Sequence, residues 1–140
     1  MGKPGIDFPG LGTGLAILRD GKLLLYKRLK APEAGFWSIV GGKVDHMEPA
    51  ANAAIREAEE ESGLCIGKIE YLCTTEVIVA ADQQHWISLI YVCKDFSGEA
   101  YLVEPDKLSD FGWFGRDELP AQLSDFARAT IAHLSEEDFR

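Results

Sequence analysis

The sequence predicts an α+β fold in which a mixed sheet lies between helices. Two observations predict it. Apolar, strand-patterned segments stand both before and after an Ala-rich helix in mid-chain, and a second amphipathic helix lies near the end. A third sets the scale: 140 residues, 46% hydrophobic and 26% charged, are enough for one domain (residues 1–140) with its own core.

Taken in order, residues 1–10 carry Pro4-Gly5 and Pro9-Gly10 and are expected to form an irregular arm. Residues 13–18 (TGLAIL) read as a strand, Asp20-Gly21 as a hairpin turn and Lys22–Arg28 as the return strand. The loop 29–35 leads into residues 36–40, a short strand aimed at a Gly41-Gly42 turn. Pro49 opens the helix, because the first helical N–H groups have no intrahelical partner to lose. The Ala-rich run is a strong helix former, and Gly63 ends it. On a wheel of about 100° per residue, Ala51, Ala54, Ile55 and Ala58 form one stripe. These side chains are small enough for the helix to lie close to a sheet. Residues 68–79 read as one long or two short strands, 80–84 as a turn and 85–92 as a strand. Ser97-Gly98 marks a turn, 111–114 (FGWF) a short aromatic strand and 117–120 a helical turn. Residues 124–134 read as a helix with Ser124 as its N-cap.

Composition excludes several classes. With 23 acids against 14 Lys and Arg, the net charge is −9, which repels a nucleic-acid backbone, so no nucleic-acid partner is expected. No apolar run reaches about 18 residues, so no membrane span is expected. No signal peptide is expected either, and Ile6 stands where a myristoylation motif needs Ser or Thr. Cys65, Cys73 and Cys93 form no CxxC motif and sit among apolar neighbours, as buried reduced thiols of a cytoplasmic protein would.

The mid-chain helix carries the chemistry. Glu57, Glu60 and Glu61 share a face at i, i+3 and i+4, and Arg56 lies one turn before Glu60. Like charges at that spacing destabilise a helix. One reading is a solvated acidic face. The other is a site for a hard cation, Mg2+ or Mn2+, which bridges carboxylates to phosphates and relieves the repulsion.

The stretch GKVDHMEPAANAAIREAEEESGL, residues 42–64, resembles the signature of the Nudix hydrolases, Gly-x5-Glu-x7-Arg-Glu-U-x-Glu-Glu-x-Gly-U, with U a bulky apolar residue. Gly42, Glu48, Arg56, Glu57, Glu60, Glu61, Gly63 and Leu64 occupy the required positions; Ala58 departs from the pattern in being small. The resemblance implies an α/β/α sandwich with the mixed sheet between helices. It also implies Mg2+-dependent cleavage of a phosphoanhydride in a nucleoside diphosphate linked to another group. In that chemistry the cations screen phosphate oxygens and lower the pKa of bound water.

The resemblance places Glu57, Glu60 and Glu61 as metal ligands, with Glu57 as ligand or general base. A backbone carbonyl, here that of Gly41, completes the family's site, although this chain has Ile39-Val40 where the family often has Leu-Pro. Arg56 is expected to orient Glu60 or Glu48. Glu48, near the helix start, is either a dipole-favoured acid or a catalytic group. Some relatives add an acid from a late loop; Glu104 is the first choice here and Glu99 the second. Lys27 and Arg28 are either a polar strand end or a phosphate clamp. Phe36, Trp86, Trp113 and Phe114 are either core or base-stacking residues. His46, His85 and His133 have no role in oxygen-ligand chemistry. Subgroups of the family carry a proline or a tyrosine downstream, where this chain has Val79 and Ala80-Ala81-Asp82. Both differences favour a nucleoside triphosphate as the small-molecule substrate, cut to a monophosphate and pyrophosphate, over ADP-ribose, nucleotide sugars or dinucleotides. Such relatives are often homodimers. A nucleotide-sensing module without activity would be expected to have lost one or more of these acids.

Overall fold

An apolar run with no polar alternation needs cover on both faces. Leu15, Ala16, Ile17 and Leu18 form such a run and are all buried. In the computed structural model, which describes residues 2–140, this run lies in β1 (Gly10–Arg19). The chain continues through β2 (Lys22–Arg28), β3 (Trp37–Ser38), β4 (Val40–Lys43), α1 (Ala50–Ser62) and β5 (Cys65–Ile66). It ends with β6 (Ile69–Val79), β7 (Gln84–Cys93), β8 (Phe96–Ser97), β9 (Leu108–Phe114) and α2 (Asp125–Ile131).

The main sheet has seven strands, in the order β3-β2-β1-β7-β6, with β4 also on β1 and β9 also on β2. The β1–β7 pair is parallel and the others are antiparallel, so the sheet is mixed. Alternation along the strands sorts the core into two layers. Leu15, Ile17, Leu24 and Tyr26 pack with Ala58 and with Leu64, which follows α1. Ala16, Leu18, Leu23 and Leu25 pack on the opposite face with Ala127 of α2 and Leu134 beyond it. The expected α/β/α sandwich is the observed one. Among the described residues no helix is long and apolar enough to cross a membrane.

Several local expectations are corrected. Gly41-Gly42 is not a turn but part of β4, because its backbone pairs with Gly14 and Thr13 of β1. The expected 36–40 strand is split between β3 and β4, and Phe36 lies outside both. Residues 68–79 form one strand, bulged between Tyr71 and Cys73. The buried stripe of α1 is Ala53, Ala54, Ala58 and Ser62; Ala51 and Ile55 are only half-buried, so the helix is rotated relative to the expected face. Cys73 and Cys93 are buried, but Cys65 is exposed on the short β5. The hairpin turn holds: Asp20 and Gly21 both have positive φ, as the type I′ geometry between twisted strands requires.

Ser124 caps α2 as expected. Its Oγ accepts from the Ala127 N–H at 2.9 Å and donates to Ser38 Oγ at 2.8 Å, joining the helix start to β3. The residue is fully buried, so no water replaces these bonds. Ser124→Ala is expected to cost about 1–2 kcal/mol. A lowered urea midpoint with an unchanged slope checks this; an unchanged midpoint would remove the cap from the forces holding α2.

Candidate active site

The site begins with how α1 meets β4. Gly63 ends the helix at φ +76°, its N–H bonded to the Glu59 carbonyl. This places the last turn of α1 against Gly41, whose N–H donates to Glu61 Oε1 at 2.8 Å. One turn earlier, Glu57 lies against Gly42. A Cβ there would stand 2.3 Å from the Glu57 carboxyl carbon, so the glycine lets the acid lie directly on the strand.

Arg56 holds the remaining acids. Its Nε and Nη2 donate to the two oxygens of Glu48 at 2.8 and 2.9 Å, a bidentate pair. Its Nη1 donates to Glu57 Oε1 at 3.0 Å and reaches Glu60 Oε1 at 3.4 Å. The expectation named Glu60 or Glu48 as its partner; the structure joins it to both, and to Glu57. The Arg56 guanidinium and then the Asp45 N–H hold the Glu48 carboxyl down at about 2. Glu48 therefore serves the Arg56 clamp, while Glu57 and Glu60 keep oxygens beyond it.

Glu61 is different. Burial pushes its pKa up to about 8, against the Gly41 N–H, with the Glu57 and Glu104 charges adding to the rise and Arg28 opposing it. Among the described residues no cation lies within ion-pair distance of it. Burial also raises Glu57, more than Arg56 lowers it. An under-compensated carboxylate beside two others is a poor resting arrangement but a suitable seat for a hard cation. Among the described residues no three acidic, His or Cys side chains already converge as a metal cage. The donor set is all oxygen, which fits Mg2+ or Mn2+ better than softer metals.

Of the late acids, Glu104 acts on Glu57 and Glu61 through its charge and is held by Lys107 Nζ at 3.3 Å. Glu99 does not join the cluster: it pairs with Arg19 at 3.5 Å on an 84% exposed side chain. Sequence spacing could not separate the two, because the loop that carries them is irregular.

On the other side of Gly41 and Gly42 lies a cavity of about 280 Å³. Arg28 and Trp86 line it; Lys27 and Phe36 do not. Arg28 donates its Nε to the Pro32 carbonyl at 2.7 Å. β1 begins Gly10-Leu11-Gly12-Thr13-Gly14, and of these Gly12 and Thr13 line the cavity. Cβ atoms at Gly10, Gly12 and Gly14 would strike Trp86, Ser88 and Phe126, so the sheet is bare backbone where those side chains meet it. Sequence reading missed Glu33, Ser88 and Phe126 as lining residues. The glycine alternation at the strand period was the available signal. Trp113 and Phe114 are core aromatics, paired with Phe96 and Trp37 respectively. His85 pairs with Glu76 at 2.8 Å, away from the acids.

Comparison with known proteins agrees with this architecture. The sequence model of the NUDIX domain matches residues 9–134. A crystal structure of a MutT NUDIX hydrolase from Burkholderia pseudomallei superposes with a TM-score of 0.88 at 43% identity, covering 92% of this chain and 100% of that one. An ADP-ribose pyrophosphatase from Methanocaldococcus jannaschii is 31% identical over 113 residues, 80% of this chain and 65% of that protein. An RNA pyrophosphohydrolase from Erythrobacter litoralis is 24% identical over 127 residues, 79% of this chain and 77% of that protein. With the α1 acids, the Arg56 clamp and the β4 glycines in place on this sandwich, the chain belongs to the NUDIX domain family of hydrolases.

Proposed function

We propose that this chain hydrolyses nucleoside triphosphates to a monophosphate and pyrophosphate, with Mg2+ or Mn2+ as cofactor. The observation that carries this reading is the half-compensated carboxylate of Glu61, tied to Gly41 at the rim of a nucleotide-sized cavity. Glu57, Glu60 and Glu61 would hold the cation, with the Gly41 carbonyl and Glu104 completing its oxygen shell. The bound cation would screen phosphate oxygens and supply a water of lowered pKa.

The chain's own groups have separate tasks. Arg56 takes no part in the chemistry; it fixes Glu57 and Glu60 while Glu48 neutralises it. Glu57, pressed against Gly42, gives Oε1 to Arg56 and would keep Oε2 for the cation. Arg28 faces the cavity and meets phosphate oxygens. The net charge of −9 makes the cation obligatory, since the acids alone would repel a polyphosphate. Relatives carry names for RNA, ADP-ribose and CTP substrates, so family membership alone does not choose among them. The choice of a triphosphate rests on Val79, a cavity-wall residue where ADP-ribose hydrolases tend to have proline, and on Ala80-Ala81-Asp82, where dinucleoside polyphosphate hydrolases tend to have tyrosine.

Incubation with Mg2+ and a panel of NTPs, dNTPs, oxidised dGTP, ADP-ribose and dinucleotides tests the reading. Pyrophosphate release from triphosphates is expected; selective turnover of ADP-ribose overturns it. Glu61→Gln is expected to lower kcat by about a hundredfold or more, because a cation ligand contributes several kcal/mol to the transition state. The variant's fold should persist, and its Tm should no longer rise with Mg2+ as a native-state ligand requires.

Glu61 also sets a pH dependence. Its pKa rises from the ordinary 4.5 to about 8 on folding without a cation. Its contribution to stability is therefore fully present below about 4.5 and lost as pH rises through about 8. In cation-free buffer the wild-type Tm should fall across this window relative to Glu61→Gln, and added Mg2+ should offset the wild-type fall while leaving the variant unmoved. Parallel Tm curves for the two proteins would remove Glu61 from the titrating groups.

A further inference from the structure

β2 buries Leu23, Leu24, Leu25 and Tyr26 in succession, and the last of these brings a hydroxyl into an apolar layer. Tyr26 is 1% exposed and packs with Leu15, Leu24 and Ala58 of α1. Its ring stacks on Phe111 of β9 at 5.4 Å. Phenylalanine would make the same contacts, so packing does not explain the hydroxyl. A buried phenol costs free energy unless its O–H finds an acceptor. Here it donates to the Tyr101 carbonyl at 2.8 Å, 75 residues along the chain.

Tyr101 lies in the irregular stretch between β8 and β9 that carries Glu104. The stretch is tied at both ends. At the near end the Tyr101 N–H donates to the Ser62 carbonyl at 3.0 Å, and the Tyr101 ring fills the space a Cβ on Gly63 would take. At the far end the Glu104 carbonyl accepts from the Lys107 and Leu108 N–H groups at 3.0 and 3.1 Å. The Lys107 carbonyl accepts from the Leu29 N–H at 2.9 Å, and Leu108 pairs with Arg28 of β2. The far end is therefore held by backbone. At the near end the work is divided: Ser62 holds the peptide before Tyr101, and Tyr26 holds the peptide after it, the one that leads to Glu104. Between these ties Glu104 comes close enough for its charge to act on Glu57 and Glu61.

We propose that Tyr26 is a positioning residue for Glu104: by fixing the peptide after Tyr101 it keeps that carboxylate beside the α1 acids, where the cation binds. The assignment rests on the cation reading above and deepens it. Without the bond the turn would spend part of its time with Glu104 turned away. A site that is complete for only a fraction of the time binds more weakly by that fraction.

The test compares Mn2+ affinity, read from the electron paramagnetic resonance of free Mn2+, in wild type, Tyr26→Phe, Glu104→Gln and the double variant. Tyr26→Phe keeps the ring and is expected to bind Mn2+ about threefold to tenfold more weakly, up to what one neutral hydrogen bond can pass on. Glu104→Gln should weaken binding as well. On that background Tyr26→Phe should have no further effect, because no carboxylate is left to position. A hydroxyl that only stabilised the core would lower Tm on both backgrounds and leave the Mn2+ affinity alone. Equal affinity losses on both backgrounds, or an unchanged affinity in Tyr26→Phe, overturn the assignment. Should Tyr26→Phe unfold, amide exchange in the wild type decides: Mg2+ should slow exchange across residues 102–107, and exchange unmoved by the cation overturns the role. A wild type that binds no Mn2+ defeats the cation reading as well.

Discussion

A single backbone bond, from the Gly41 N–H to Glu61 Oε1, carries much of this molecule's organisation. It fixes α1 to β4 at the point where the acids stand on one side and the cavity opens on the other. The bond also burdens the protein, because it holds a carboxylate in a desolvated place without a counter-charge. A group in that condition gains most from a cation.

Two devices make this arrangement stable enough to wait. The first is Arg56, whose guanidinium spreads over Glu48, Glu57 and Glu60. It converts three mutually repelling acids into a positioned set and leaves Glu61 as the one without a cationic partner. The second is the sandwich itself. β1 and β2 bury both faces, so the sheet that presents β4 is gripped by α1 on one side and by α2 on the other. The rigidity of the strand and helix that carry the acids comes from that double burial rather than from any loop.

One cavity wall is built by close approach to bare backbone. Where β1 carries Ala16 and Leu18 the α2 face is packed by the strand's own side chains; where it carries Gly10, Gly12 and Gly14 the backbone is covered instead by Trp86, Ser88 and Phe126. Those three side chains line the cavity. The loop carrying Glu33 closes one side of it by bonding to Asp82 and Asp125. Cavity-lining residues thus come from loops and strands far apart in the chain.

The sequence by itself determined the layer architecture and the acidic helix, since both rest on local periodicity. Apolar runs at period 2, an Ala-rich helix closed by Gly63 and a Ser124 cap are short-range signals that survive folding unchanged. Spacing also placed Glu57, Glu60 and Glu61 together, because α-helical geometry fixes neighbours at i, i+3 and i+4. Only the tertiary structure decided what those side chains meet. Gly41-Gly42 reads as a turn in isolation and becomes a strand because β1 offers a partner edge. Glu104 comes within reach of the α1 charges while Glu99 pairs elsewhere, a difference settled by the path of a loop without periodicity. Glu33 is one acid among 23 until the fold brings Asp82 and Asp125 to it, and such long-range partners leave no mark on local sequence.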